Sequence, residues 1–112
     1  MATTVTPAVL QGGVVLTTIN VVYVTAPANT TVVIKNGVIT NPSGNATTTY
    51  TCSVLRSGGS LLVVIPARNV VSPGTDLMPE LANFVLNPGD VLELEASSAA
   101  ILNFFASGFY IS

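Results

Sequence analysis

Histidine is absent from this 112-residue chain, and cysteine occurs once, at Cys52. The chain therefore lacks the side chain that most often serves as a general base and as a neutral metal ligand. A single cysteine excludes an intramolecular disulfide and any metal site built from several cysteines. We expect Cys52 to point inward as a small hydrophobic residue.

Charge is also scarce: 7% of the residues are charged, against about 25% in ordinary soluble domains. The net charge is −2, and the three basic residues are scattered along the chain. Three such residues cannot neutralise several phosphates, which argues against a nucleic-acid partner. So few charges protect a free monomer poorly against association. The composition therefore favours a subunit of an assembly, with a neutral extracellular domain as the alternative.

Long apolar runs are missing as well. The longest candidates, VVYV and LLVVI, have the length of strands and fall far short of the ~20 residues that span a bilayer. The N-terminal sequence MATTVTPAVLQGG lacks the basic start and apolar centre of a signal peptide. We therefore expect neither a membrane partner nor secretion by a classical signal.

Val, Ile and Thr dominate the sequence, and Gly, Pro and Asn recur between runs of strand length. Branched side chains favour strands, and regularly spaced turn signals are typical of a sandwich or barrel. The sequence predicts an all-β fold, a single antiparallel β-sandwich of the jelly-roll type with about eight short strands. The predicted strands lie near 14–25, 31–41, 47–56, 61–66, 68–72, 81–86, 91–97 and 100–111. Residues 1–13 are expected to form a flexible N-terminal arm and residues 14–112 the β-sandwich domain.

Alternation of apolar and polar residues predicts which side chains face the core. In the strand near 47–56 these are Tyr50, Cys52 and Val54, and in the strand near 91–97 they are Leu92, Leu94 and Ala96. The last segment is apolar on both faces, which is typical of a strand that is sandwiched or makes an interface. Only DLMPELANFVL has room for a helical turn, because Pro79 opposes a longer helix.

Few side chains are candidates for chemistry. Glu93 and Glu95 lie two apart on a predicted strand, so their Cα atoms are about 6–7 Å apart on one face. That spacing suits acid/base catalysis, but any solvated strand face gives it too, and we favour the solvated face. With Asp90 these carboxylates offer oxygen ligands for Ca²⁺, yet no calcium-binding loop accompanies them.

The segment RSGGSLL lacks the Lys-Ser/Thr of a phosphate-binding loop and predicts a hairpin turn. We expect Arg56 and Arg68, which border this region, to pair with carboxylates or a partner. No catalytic, cofactor-binding or metal-binding constellation emerges, so the sequence indicates a protein that is not an enzyme and needs no cofactor.

Several segments, in their order along the chain, resemble a family of small virion structural proteins of tailed bacteriophages. They are Tyr23 to Ala28, Val32 to Lys35, Asn41 to Gly44, Leu86 to Asp90 and Ala106 to Ile111. Each piece is a common strand or turn signal, and their order carries the resemblance from about Leu16 onward. Gly37 departs from the pattern of its strand and predicts a bulge or a close contact.

The resemblance implies a compact β-sandwich that acts by packing. Some members of the family resemble capsid decoration (cement) proteins, which sit on assembled heads. The resemblance therefore implies a protein that is made in the bacterial cytoplasm and lies on the capsid exterior. It also implies the major capsid protein as partner and a homo-oligomer, preferably a trimer, as the oligomeric state. The candidate interface residues are in the N-terminal arm and at the aromatic end: Thr3, Val5, Pro7, Val9, Leu10, Phe104, Phe105, Phe109 and Tyr110.

Two other functions stay open. One is a tail- or fibre-associated virion protein of the same fold, with loops that touch the host. The other is a carbohydrate-binding β-sandwich module, which the absence of tryptophan disfavours because aromatic rings stack on sugars.

Overall fold

The structure is a computed structural model that describes residues 3–42 and 44–112. Met1 and Ala2 of the expected arm and Ser43 of a predicted turn lie outside the described residues. Over the described ranges the chain forms nine strands and one 3-10 turn at Pro79–Leu81. The strands are β1 (Val5–Val15), β2 (Val21–Thr25), β3 (Thr31–Asn41), β4 (Thr48–Leu55), β5 (Leu61–Val70), β6 (Gly74–Asp76), β7 (Phe84–Leu86), β8 (Val91–Ala96) and β9 (Asn103–Ile111).

The strands form two antiparallel sheets that pack face to face. The first sheet has the order β1-β9-β3-β6, with β7 also paired to β3, and the second has the order β2-β8-β4-β5. Because β6 and β7 pair with different ends of β3, they share one strand position. The two sheets then have four positions each, connected as two Greek keys, which is the jelly-roll arrangement. The predicted fold class is confirmed.

The core lies between the sheets and contains two large aromatic side chains, Tyr50 and Phe104, both almost fully buried. Aliphatic residues from both sheets surround them. The residues predicted to point inward do so: Tyr50, Cys52, Val54, Leu92, Leu94 and Ala96 are all buried. Burial of each large aliphatic or aromatic side chain stabilises the fold by roughly 1.5–3 kcal/mol. This core explains how the chain folds without a disulfide.

The N-terminal segment differs from the expected flexible arm. Residues 5–15 form β1, which pairs with β9, so the boundary expected after residue 13 falls inside a strand. Pro7 and the Gly12-Gly13 pair disfavour a strand in the middle of a sheet. β1 is an edge strand, however, where a proline is tolerated, and register shifts on either side of Gln11 accommodate the glycines.

Other strand boundaries also differ from the prediction. The single strand expected at 14–25 is interrupted, because the chain leaves the first sheet at Leu16 and enters the second at Val21. The two strands expected at 61–66 and 68–72 are one strand, β5, with irregular pairing to β4. β6 was not predicted, and of the expected strand 81–86 only β7 is extended, after the predicted helical turn.

Gly37 makes the close contact that the sequence predicts. β3 has a register shift between Ile34 and Asn36, and a Cβ at Gly37 would lie 3.0 Å from Leu81 Cδ1 and 3.2 Å from Met78 Sδ. The glycine therefore lets the 3-10 turn pack directly on the strand. Among the described residues there is no helix long and apolar enough to cross a membrane.

Candidate interaction surface

The outer face of the first sheet carries several exposed apolar side chains beside polar ones such as Asn36 and Ser107. Its residues follow from the strand register, because residues paired across neighbouring strands project to the same face. β1 and β9 pair Val5 with Ile111, Pro7 with Phe109 and Val9 with Ser107. The register continues into β3 and β7, which add Val33 and Val85 beside Phe109. We call these eight residues, together with Phe105, the outer face.

Side chains of the outer face are substantially exposed. Val9 is 72% exposed, Val5 56%, Val85 43% and Phe105 42%. The phenyl ring of Phe105 lies over Gly13, where an added Cβ would be 3.1 Å from Phe105 Cε1. Isolated apolar residues are normal on a protein surface, whereas a contiguous apolar patch is typical of a binding surface.

An open groove of about 410 Å³ runs across this face. Pro7, Val9 and Phe109 line it, and Lys35 is the only charged residue in its wall. The Lys35 ammonium donates a hydrogen bond to Asn83 Oδ1 at 3.2 Å. The groove therefore offers aliphatic and aromatic contacts with almost no charge, which suits a protein surface better than a charged ligand.

The structure brings together five of the nine candidate interface residues: Val5, Pro7, Val9, Phe105 and Phe109. Thr3 is exposed just before β1. Leu10 and Tyr110 are partly buried and pack against the core. Phe104 is completely buried and belongs to the core, because even-numbered residues of β9 point inward where odd-numbered ones point outward. Phe104 is therefore removed from the interface candidates.

The sequence did not assign Val33, Lys35 or Val85 to this surface. Val33 alternates with the buried Val32 and Ile34 in β3, a pattern that predicts a strand but does not show what its other face contacts. Val85 joins the outer face because β7 pairs with β3, and that pairing depends on a turn that the sequence does not specify.

The charged residues near the ends of the sandwich pair with one another. Asp90, with a side chain 3% exposed, accepts a hydrogen bond from Arg56 Nη1 at 2.6 Å and from the backbone N–H groups of Ser57 and Asn87 at 2.9 Å each. Burial opposes ionisation of Asp90, but these donors outweigh it and hold the pKa below its usual value. Arg56 also lies over the ring of Phe84. This cluster fastens the β4–β5 hairpin to the turn before β8.

A second cluster joins β5, β6 and the 3-10 turn. Arg68 donates hydrogen bonds to Asp76 and Glu80, and the Tyr50 hydroxyl donates to Asp76. Burial raises the pKa of Tyr50, and the hydrogen bond to Asp76 raises it further. Hydrogen bonds from Arg68 lower the pKa of Glu80. The expectation that Arg56 and Arg68 pair with carboxylates is confirmed, and both clusters are fully engaged within the protein.

Glu93 and Glu95 lie in β8, on the side of the second sheet that faces away from the core. Glu93 accepts a hydrogen bond from Asn20 Nδ2 at 3.1 Å, and Glu95 borders a shallow groove with Thr49 and Thr51. Asp90 is held by Arg56 and does not join them. In the described part of the chain, no group of three or more histidine, cysteine or acidic side chains is placed to hold a metal ion.

Cys52 is buried in the core, as predicted. Burial raises the pKa of its thiol to about 12, so the reactive thiolate is disfavoured at neutral pH.

Comparison with known proteins shows likeness in fold but not in sequence. No protein-family model matches the chain, and no curated protein matches it. Two solved structures match 97% of this chain: one of the T13 viral particle of IBDV, with a TM-score of 0.55 and 10% identity, and one of infectious bursal disease virus, Gx strain, with a TM-score of 0.51 and 13% identity. This chain spans 30% and 31% of the length of those two chains. Its β-sandwich is thus a fold also found within a chain of a virus particle.

Proposed function

We propose that this protein is a structural component of a virion, and more specifically a decoration protein that binds the outside of an assembled bacteriophage head. The observation that carries the proposal is the outer face, an apolar and nearly uncharged surface on a β-sandwich. The shared fold with a virus-particle chain supports the broader role. The resemblance to tailed-phage virion proteins supports the narrower one.

The proposed mechanism is physical and not catalytic. A protein that binds the assembled shell but not its separate subunits stabilises the shell by mass action. The major capsid protein is the proposed partner, and the outer face is the proposed contact. Self-association, with a trimer as the proposed state, would add avidity to contacts that are individually weak.

The number of copies in purified particles tests the location. A copy number comparable to that of the major capsid protein is expected for a decoration protein. A few copies per particle would instead favour a tail- or fibre-associated protein of the same fold. Absence from particles would overturn the virion role altogether.

Binding of purified variants to heads that lack the protein tests the surface. Val9→Lys places a charge on the outer face, in its edge strand β1, and is expected to weaken binding at least ~10-fold, because burial of an unpaired charge is costly. Ile19→Lys is the matched control, since Ile19 is 68% exposed but lies in the loop between β1 and β2. Equal binding by both variants would show that the outer face is not the contact.

A further inference from the structure

The edge of β5 that faces away from β4 has no paired strand in the described part of the chain. β5 is the last strand of the second sheet, and among the described residues only β4 pairs with it in that sheet. At its start, Leu61 is 54% exposed, Leu62 47% and Val63 55%. Successive side chains of a strand point to opposite faces, so both faces of the sheet are uncovered at this corner.

The hairpin geometry identifies which backbone groups point outward. Arg56 N–H donates to Ser60 C=O at 2.9 Å, and Gly59 N–H, at a positive φ of 96°, donates to Arg56 C=O at 2.8 Å. Arg56 and Ser60 thus form a hydrogen-bonded pair, and such pairs alternate along an antiparallel ladder. Val54 and Leu62 form the next one.

The alternation leaves the N–H and C=O groups of Leu61 and Val63 directed away from β4. Such a row of free donors and acceptors is a template for another strand. Natural edge strands are protected by charges, prolines or bulges, and Leu61–Val63 has none of these. The first interruptions come afterwards, at the register irregularity around Val64 and at Pro66.

We propose that the edge of β5 pairs antiparallel with the same edge of a second copy of this chain, across a two-fold axis at Leu62. In this arrangement Leu61 of one copy is opposite Val63 of the other, and the outward backbone groups of both residues are satisfied. Leu62 faces its own counterpart. No residue from Ser57 to Ala67 is charged, so identical segments can lie opposite one another without repulsion between like charges.

The contact is small. Three aliphatic side chains per copy bury much less than the ~800 Å² per partner of a stable interface, so the pair is weak in dilute solution. It forms where copies are concentrated. This two-fold contact is distinct from the proposed trimer and goes beyond the proposed capsid role, because it uses the edge of β5 and leaves the outer face free.

Cysteine cross-linking of the full chain tests both the pairing and its register. In the proposed pair the two Leu62 Cα atoms are about 4.5 Å apart, within reach of a disulfide. The two Leu61 Cα atoms are about 8 Å apart, beyond that reach. Leu62→Cys is therefore expected to form disulfide-linked dimers at least ~10-fold faster than Leu61→Cys under the same mild oxidant.

Two controls accompany the comparison. Leu77→Cys, at a position 69% exposed and outside the segment Leu61–Val63, measures the rate of chance collisions. The unsubstituted chain has only the buried Cys52 and should give no dimer. Faster cross-linking of Leu62→Cys than of both other variants supports the proposal. Equal rates for all three variants, or faster cross-linking through Leu61→Cys, would overturn it.

Cross-linking of Leu62→Cys in the presence of virus particles distinguishes self-pairing of the β5 edge from pairing with a capsid protein. If Leu62→Cys stays monomeric in solution and instead cross-links to a capsid protein, the edge of β5 accepts a strand of that protein and the self-pairing is wrong.

Discussion

Replacing Asp90 by alanine is expected to lower the free energy of unfolding by about 3 kcal/mol. The carboxylate makes a charge-assisted hydrogen bond with Arg56, of a kind that contributes about 1.5–3 kcal/mol. It also accepts from the backbone N–H groups of Ser57 and Asn87, for about 0.5–1.5 kcal/mol each. Both of those residues are exposed, so water replaces part of what is lost, and the sum falls toward the lower end of its range.

Urea unfolding followed by circular dichroism measures this change as a shift of the midpoint at constant slope. Glu93→Ala is the matched control, since Glu93 makes a single hydrogen bond on an open face, and it is expected to change stability by less than ~0.5 kcal/mol. A double-mutant cycle with Arg56→Ala isolates the ion pair. A loss below ~1 kcal/mol for Asp90→Ala, or full additivity in the cycle, would refute this account of the cluster.

The pH dependence provides an independent check on the same residue. The pKa of Asp90 is lower in the folded protein than its unfolded value of about 3.9. The unfolded chain therefore takes up the proton first as the pH falls, and the stabilisation is present above about pH 4 and lost as the pH falls through the folded pKa. Asp90→Asn cannot titrate, so the stability gap between it and the unsubstituted chain should close below pH 4. A gap that persists at low pH would contradict the assignment.

Three further predictions concern buried positions. Gly108→Ala should destabilise the protein by more than ~2 kcal/mol in thermal unfolding, because the added Cβ would lie 2.0 Å from the backbone carbonyl oxygen of Val33. A melting temperature within ~2 °C of that of the unsubstituted protein would contradict this. Gly37→Ala should lower the free energy of unfolding by only about 1 kcal/mol, measured by urea unfolding, because its Cβ would lie 3.0 Å from the end of the Leu81 side chain, and that side chain can shift. A larger loss of stability for Gly37→Ala than for Gly108→Ala would contradict this reasoning. Burial raises the pKa of the Cys52 thiol to about 12, so Cys52 should react with iodoacetamide at pH 8 only as fast as the protein unfolds. Mass spectrometry of samples labelled with and without urea measures this rate. Rapid labelling of the native protein would contradict the burial of Cys52.

The sequence predicted the sandwich because its alternating strands bury one face each. Tyr50, Cys52 and Val54 illustrate this, since period-two patterning alone places them in the core. Prediction failed at β1, because Pro7 and two glycines weaken the local strand signal and the strand is held by pairing with a segment about a hundred residues away. Such distant pairing has no local signature.

The candidate surface was predictable only in part for a related reason. A segment that is apolar on both faces, such as Phe104–Phe109, indicates that one face meets the core and the other a partner. The sequence alone does not show which side chains belong to which face. Register decides it, and register here depends on the irregularities in β1 and β3. The same limit applies to β5: LLVVI indicates a strand, but only the strand order shows that one edge of it is free.

The outer face and the edge of β5, taken together as the two proposed contacts, account for the low charge of the chain better than either does alone. A face-to-face contact through the first sheet requires few charges on that face, but it leaves the second sheet unrestricted. The second sheet does carry Glu93 and Glu95 on its own outer face, whereas the edge at Leu61–Val63 has no charge. Since a single Lys on an exposed edge strand would block pairing at little cost in stability, the missing charge there is consistent with an edge that is covered in the assembled state. The charges that remain are largely engaged within the molecule, where Arg56 and Arg68 fasten the loops that hold β5 and β7 in place.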